Sequence, residues 1–155
     1  RNAVRALDVP AGGFYTEEVR ARGRRQGFDL VTLDGRRTTL ASVDSHGPVR
    51  VSKYGVELEA LDGLGVPAVH SAITEARLIV IDEIGKMELY SEPFRQAVLA
   101  ALDSGKPVLA SIMLGPHPFA DAVKRRQDVE VLAVTEENRA RLAHYLLDRL
   151  RRLLD

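Results

Sequence analysis

Asp82 and Glu83 are adjacent carboxylates that follow directly on Leu78-Ile79-Val80-Ile81. Four apolar residues, three of them β-branched, suit a short strand buried on both faces, as in a parallel sheet. Open α/β sheets bind ligands outside the carboxyl ends of their strands, so both carboxylates would emerge where a ligand sits. There Asp82 can hold Mg²⁺ through water, and Glu83 can orient or deprotonate an attacking water. Leu78, Ile79, Val80, Ile81, Asp82, Glu83, Ile84 and Gly85 thus form a candidate binding segment, with Asp82 on the metal and Glu83 catalytic. Taken alone, the pair also reads as an acidic turn or a salt-bridged strand end. The complementary half of a phosphoryl-transfer site, GxxxxGK[ST], does not occur in the chain.

Other residues could serve the same chemistry. Thr16, Glu17, Glu18 and Arg20 close an earlier strand whose end would face the same cleft. Glu17 or Glu18 could contact the nucleophilic water, the metal or a nucleotide, with Glu17 the candidate binding residue; an exposed strand charge is the plainer reading for one of the two. Lys53, beside Tyr54-Gly55, could approach a phosphate as a point charge or stay solvated. Lys86 could reach phosphate or pair with Glu83, and Glu88 reads as structural. Ser111 could sense a terminal phosphate. His117, between Pro116 and Pro118, could touch base or ribose. His46, His70 and His144 show no metal-ligand spacing. The arginine run at 20, 22, 24 and 25 and the arginines near the carboxyl terminus read mainly as solvated faces. No GxSxG elbow occurs.

The elements that must position these groups are legible in outline. Residues 1–7 read as the tail of a helix. Gly12-Gly13 opens a strand through Val19, and residues 26–33 form another. Asp34-Gly35 turns the chain into a hairpin partner at 36–40. A short strand is expected at 49–52. Gly63 to Pro67 should punctuate before a helix at 68–76. Ser91, Glu92 and Pro93 signal the start of a helix running to about 102 and stopping near Gly105. Strands are expected at 107–112 and 129–134, with a helix at 119–125 between them. Thr135 should cap the last helix, whose Leu142, Leu146, Leu150 and Leu153 share one side. From residue 77 onward, strand and helix alternate, which implies a parallel α/β sheet.

Composition sets outer bounds. The 155 residues suit one domain with a proper core. Lysine plus arginine and aspartate plus glutamate each number 22, so no global basic field favours nucleic acid. Cysteine is absent, which excludes disulfides and thiolate chemistry and suits a reducing, cytoplasmic setting. No apolar run approaches the roughly 20 residues of a membrane span.

Five blocks then occur in order: Gly13-Phe14-Tyr15-Thr16-Glu17-Glu18-Val19-Arg20, Gly27 through Leu33, Lys53-Tyr54-Gly55-Val56, Asp82 through Leu89, and Val134-Thr135-Glu136-Glu137-Asn138-Arg139. Together they resemble the THEP1-type nucleoside-triphosphatases, also called cancer-related nucleoside-triphosphatases, of the P-loop NTPase superfamily. The resemblance implies a RecA-like, three-layer α/β fold whose mostly parallel sheet carries a β-hairpin insertion. It implies Mg²⁺-dependent hydrolysis of ATP, GTP, CTP and UTP, with no nucleic-acid or membrane partner. It also implies a strand, a glycine-rich phosphate loop and a helix ahead of the first block. Residues 1–155 are therefore expected to be one domain truncated at its amino terminus, with roughly 20 to 35 residues preceding Arg1. Two other readings stay open: a nucleotide-binding or regulatory module without catalysis, and a nucleotide or nucleoside kinase.

Overall fold

The computed structural model describes residues 2–155. Helix α1 (Asn2–Leu7) leads into an antiparallel meander of β1 (Ala11–Ala21), β2 (Arg24–Thr32) and β3 (Arg37–Ser42), followed by the small hairpin of β4 (Arg50–Val51) and β5 (Tyr54–Val56). A short helix α2 (Leu58–Ala60) runs through a π-helical stretch, Leu61–Gly65, into α3 (Val66–Glu75). The second half comprises β6 (Leu78–Ile84), a 3-10 turn (Glu88–Tyr90), α4 (Glu92–Asp103), β7 (Val108–Ile112), α5 (Pro118–Lys124) and α6 (Arg139–Leu154).

The seven strands form one sheet in the order β4-β5-β3-β2-β1-β6-β7. Its core is parallel: β6 lies between β1 and β7 and runs in the same direction as both. The remaining pairs are antiparallel, so the hairpin insertion expected from sequence grows into a four-strand extension. The parallel core explains the uninterrupted apolar run in β6. Ile79 and Ile81 pack under α3, α4 and α5, while Leu78 and Val80 meet α1 and α6 on the opposite face. Helices thus cover both faces, giving three layers. No described helix is long and apolar enough to cross a membrane.

Local chemistry accounts for the elements around β6. The Ser91 hydroxyl accepts the Phe94 N–H at 3.1 Å and caps α4. Phe94, Ala97, Val98 and Ala101 then recur at helical spacing and are fully buried. Phe94 meets Phe14 of β1 edge-on at 6.1 Å. Burying a ring of this size stabilises by about 1.5–3 kcal/mol. Close contact between β1 and β6 depends on Gly13. Its φ is +111°, and a Cβ there would stand 1.9 Å from the Val80 carbonyl oxygen.

Four sequence expectations are corrected. Gly63 and Gly65 do not break the chain; helical backbone continues through them into α3. Gly65 is required by packing, since an added Cβ would lie 2.8 Å from Leu30 Cδ1 and 3.0 Å from Leu61 Cδ1. Residues 129–134 form no strand. Their β-propensity needs a partner ladder, and β7 ends the strand order, with nothing paired on its outer edge among the described residues. Val131 and Val134 accordingly stay 50% and 62% exposed. Thr135 does not cap α6, which starts at Arg139 after Asn138; Thr135 and Asn138 instead exchange side-chain-to-backbone bonds. Leu150 and Leu154 are the buried leucines of α6, while Leu153 turns outward.

Candidate active site

The β6–β7 ladder carries an irregularity at the point where the carboxylates appear. Ile81 pairs with Ala110 and Ile84 with Ile112, so β6 spends one residue more than β7 over that interval. The extra residue is a bulge comprising Asp82 and Glu83, whose connecting peptide bond is cis. A bulge interrupts strand alternation and re-aims side chains. The ladder closes again immediately, with the Met113 N–H donating to the Ile84 carbonyl at 3.0 Å. Both carboxylates are thereby held at the carboxyl end of a strand rigid on either side.

Asp82 is half-buried and accepts a 2.6 Å hydrogen bond from the Ser111 hydroxyl of β7. Glu83 is open to solvent, yet its carboxyl group packs over Gly85. Desolvation, and then the charge of Asp82, push its pKa above the ordinary carboxylate value. Beyond Gly85 the chain turns tightly, and the Leu89 N–H donates to the Gly85 carbonyl at 3.0 Å. Arg95 of α4 grips this turn by donating to the Leu89 carbonyl at 2.6 Å. Ser91 secures its far end, donating to Asp62 of the π-helical stretch.

The structure separates the predicted site residues into groups. Asp82, Glu83, Gly85 and Ser111 come together. Leu78, Ile79, Val80, Ile81 and Ile84 are core residues whose buried side chains support the site from beneath and cannot line it. Glu17 lies on β1, next to β6, but its carboxylate pairs with Arg37 of β3 at 2.8 Å, and Arg37 also holds Asp29 of β2. Lys53 sits in the β4–β5 turn with its ammonium over the Tyr54 ring at 5.5 Å. Tyr54 belongs to a cluster with Ala41 and Val56 against which Met87, from the turn that follows the carboxylates, also packs. Lys86 is exposed and has no charged partner among the described residues. His117 caps α5, its Nδ1 accepting the Phe119 N–H at 3.1 Å.

Sequence reasoning missed the importance of Glu88. It is only 3% exposed, and its Oε2 has no hydrogen-bond partner. An acid set between Met87 and Leu89, apolar on either side, is the available signal. Among the described residues, no three His, Cys, Asp or Glu gather as a protein-only metal cage would require. The Asp82 carboxylate beside the Ser111 hydroxyl nevertheless supplies the hard oxygen donors Mg²⁺ prefers. That ion is typically held by one or two carboxylates, with waters and substrate phosphates completing its shell.

The chain is similar to known proteins over most of its length. The sequence profile of the NTPase family matches residues 1–147. Nucleoside-triphosphatase THEP1 of Thermotoga sp. (strain RQ2) is 46% identical over 141 residues, spanning 91% of this chain and 81% of that protein. The human cancer-related nucleoside-triphosphatase is 41% identical over 152 residues, spanning 90% of this chain and 80% of its own length. Among solved structures, the crystal structure of THEP1 from Aquifex aeolicus superposes with a TM-score of 0.88 at 33% identity, covering 96% of this chain and 88% of that one. The solution structure of a human cancer-related nucleoside triphosphatase gives 0.80 at 38% identity, covering 97% and 87%.

Proposed function

The chain belongs to the NTPase family, and from that premise we propose how its site hydrolyses a nucleoside triphosphate. The enzyme is a hydrolase: water attacks the terminal phosphorus, the bond to the bridging oxygen breaks, and the products are the nucleoside diphosphate and inorganic phosphate. Glu83 orients that water and receives its proton. Its position at the open end of β6, desolvated yet accessible, suits a group that must meet water and gain a proton.

Asp82, oriented by Ser111, is the residue assigned to Mg²⁺. When bound, the ion neutralises charge on the phosphate oxygens. The remaining work falls to positioning, and the bulge supplies it by fixing two adjacent carboxylates between ladder hydrogen bonds. The substrates we assign are ATP, GTP, CTP and UTP, because the chemistry acts on phosphates common to all four.

The observation that carries this reading is the bulge presenting Asp82 and Glu83 at the carboxyl end of a buried parallel strand. Its test is Glu83→Gln in the protein, followed by phosphate release from each triphosphate. Turnover should fall by about 10²–10⁴, the usual contribution of a general base, while nucleotide affinity stays unchanged. Wild-type turnover in that variant, or transfer of labelled phosphate to an acceptor other than water, would overturn the assignment.

A further inference from the structure

Gly85 sits between two carboxyl groups. A Cβ on Gly85 would lie 2.8 Å from Glu83 Oε1 and 2.8 Å from Glu88 Oε2. Those two oxygens therefore stand no farther apart than twice that distance. Glu88 is buried, and no lysine or arginine among the described residues is bonded to it. Its backbone is anchored in the 3-10 turn, where its carbonyl accepts the Ser91 N–H at 3.0 Å. A buried ionised carboxylate with an orphaned oxygen, beside a second carboxylate, is costly on two counts. Placing a proton on Glu88 removes both costs and gives the orphaned oxygen a hydrogen to donate.

We propose that Glu88 is a positioning residue for the reaction: a neutral carboxylic acid whose hydroxyl holds one oxygen of Glu83 across Gly85, leaving the other free for water. The proposal rests on the reading of Glu83 given above and extends it to a residue six positions from Asp82. Electrostatics agrees with the geometry. Desolvation by burial, with the charges of Glu83 and Asp82 adding to it, pushes the Glu88 pKa up to about 7; the backbone N–H groups of Glu88 and Gly85 oppose the rise. The arrangement also accounts for Gly85, since any side chain there would part the two carboxyls.

Two measurements test this. The first uses the protein in metal-free buffer and records the infrared carbonyl band of protonated carboxylic acids at pH 6. The band should be present in the wild type and in Glu83→Gln and lost in Glu88→Gln. Its absence from the wild type, or its loss with Glu83→Gln alone, would overturn the proposal. The second measures kcat and KM in the protein. Glu88→Gln keeps a neutral N–H donor and should stay within about threefold of wild-type kcat. Glu88→Leu should lower kcat by roughly 10- to 100-fold with KM unchanged, the loss expected when a hydrogen bond to a charged group disappears. A Gln variant as impaired as Glu83→Gln, or a folded Leu variant with wild-type kcat, would refute the donor role. A wild-type enzyme that releases no phosphate would instead refute the nucleotide reading, and the infrared result would still decide where the proton sits.

Discussion

Glu88→Gln should change how stability depends on pH, apart from any effect on turnover. The side chain is 3% exposed, and its pKa rises from an ordinary 4.5 to about 7. Between those values the folded state holds a proton that the unfolded state has released. Stability associated with Glu88 is therefore complete below pH 4.5, declines as pH rises, and is lost above about 7. The gap corresponds to at most about 3 kcal/mol. Glutamine cannot ionise, so the variant lacks this decline, while contributions from Asp82 and Glu83 remain common to both proteins. At pH 5 the two should agree within about 1 kcal/mol, and at pH 8–9 the variant should be the more stable by up to about 3 kcal/mol. At roughly 2–4 °C per kcal/mol for a chain of this size, that is a rise in Tm of about 6–12 °C. Urea unfolding in EDTA, followed by circular dichroism from pH 5 to 9, measures the difference directly. A stability difference that does not vary with pH would refute the buried, protonated Glu88.

Other outcomes follow from the same geometry. Gly85→Ala places a Cβ 2.8 Å from the carboxyl ends of Glu83 and Glu88 and must push them apart; turnover should fall at least tenfold, and unaltered phosphate release would count against the site. In Gly13→Ala the clash is with backbone, 1.9 Å from the Val80 carbonyl oxygen at φ +111°, so separation of β1 from β6 should cost more than about 3 kcal/mol and appear as loss of the cooperative unfolding transition. Residues 1–155 contain no GxxxxGK[ST]; as an isolated polypeptide they should hydrolyse triphosphates far below ordinary NTPase rates, for want of that motif's backbone N–H groups and lysine around the phosphates. Vigorous phosphate release by that polypeptide would show that other residues do this work.

Local chemistry along the chain was enough to identify β6, α4 and the carboxylates between them. An apolar run too short for a helix, a Ser-Glu-Pro start and helically spaced apolar residues each state a preference that nearest neighbours can satisfy. The same holds for the hairpin at Asp34-Gly35, where φ of +97° requires glycine. Preferences that depend on a distant partner could not be settled this way. Residues 129–134 have strand-forming composition and no strand beside them, so their backbone stays irregular. Gly65 resembles a helix breaker until Leu30 and Leu61 are seen to press on it. Lys53 neighbours a glycine, as a phosphate-binding lysine would, and only the fold sets the adjacent Tyr54 in a cluster that Met87, beyond the carboxylates, packs against. Asp82 and Glu83 were therefore named by the sequence, while the bulge that turns them outward arises only where β6 is paired with β7. Glu88 is the clearest case: the sequence marks it only as structural, and packing of the turn against α4 and Gly85 is what buries its carboxyl group near Glu83. Ionisation responds to every group within several ångströms, and that neighbourhood exists only once the chain has folded.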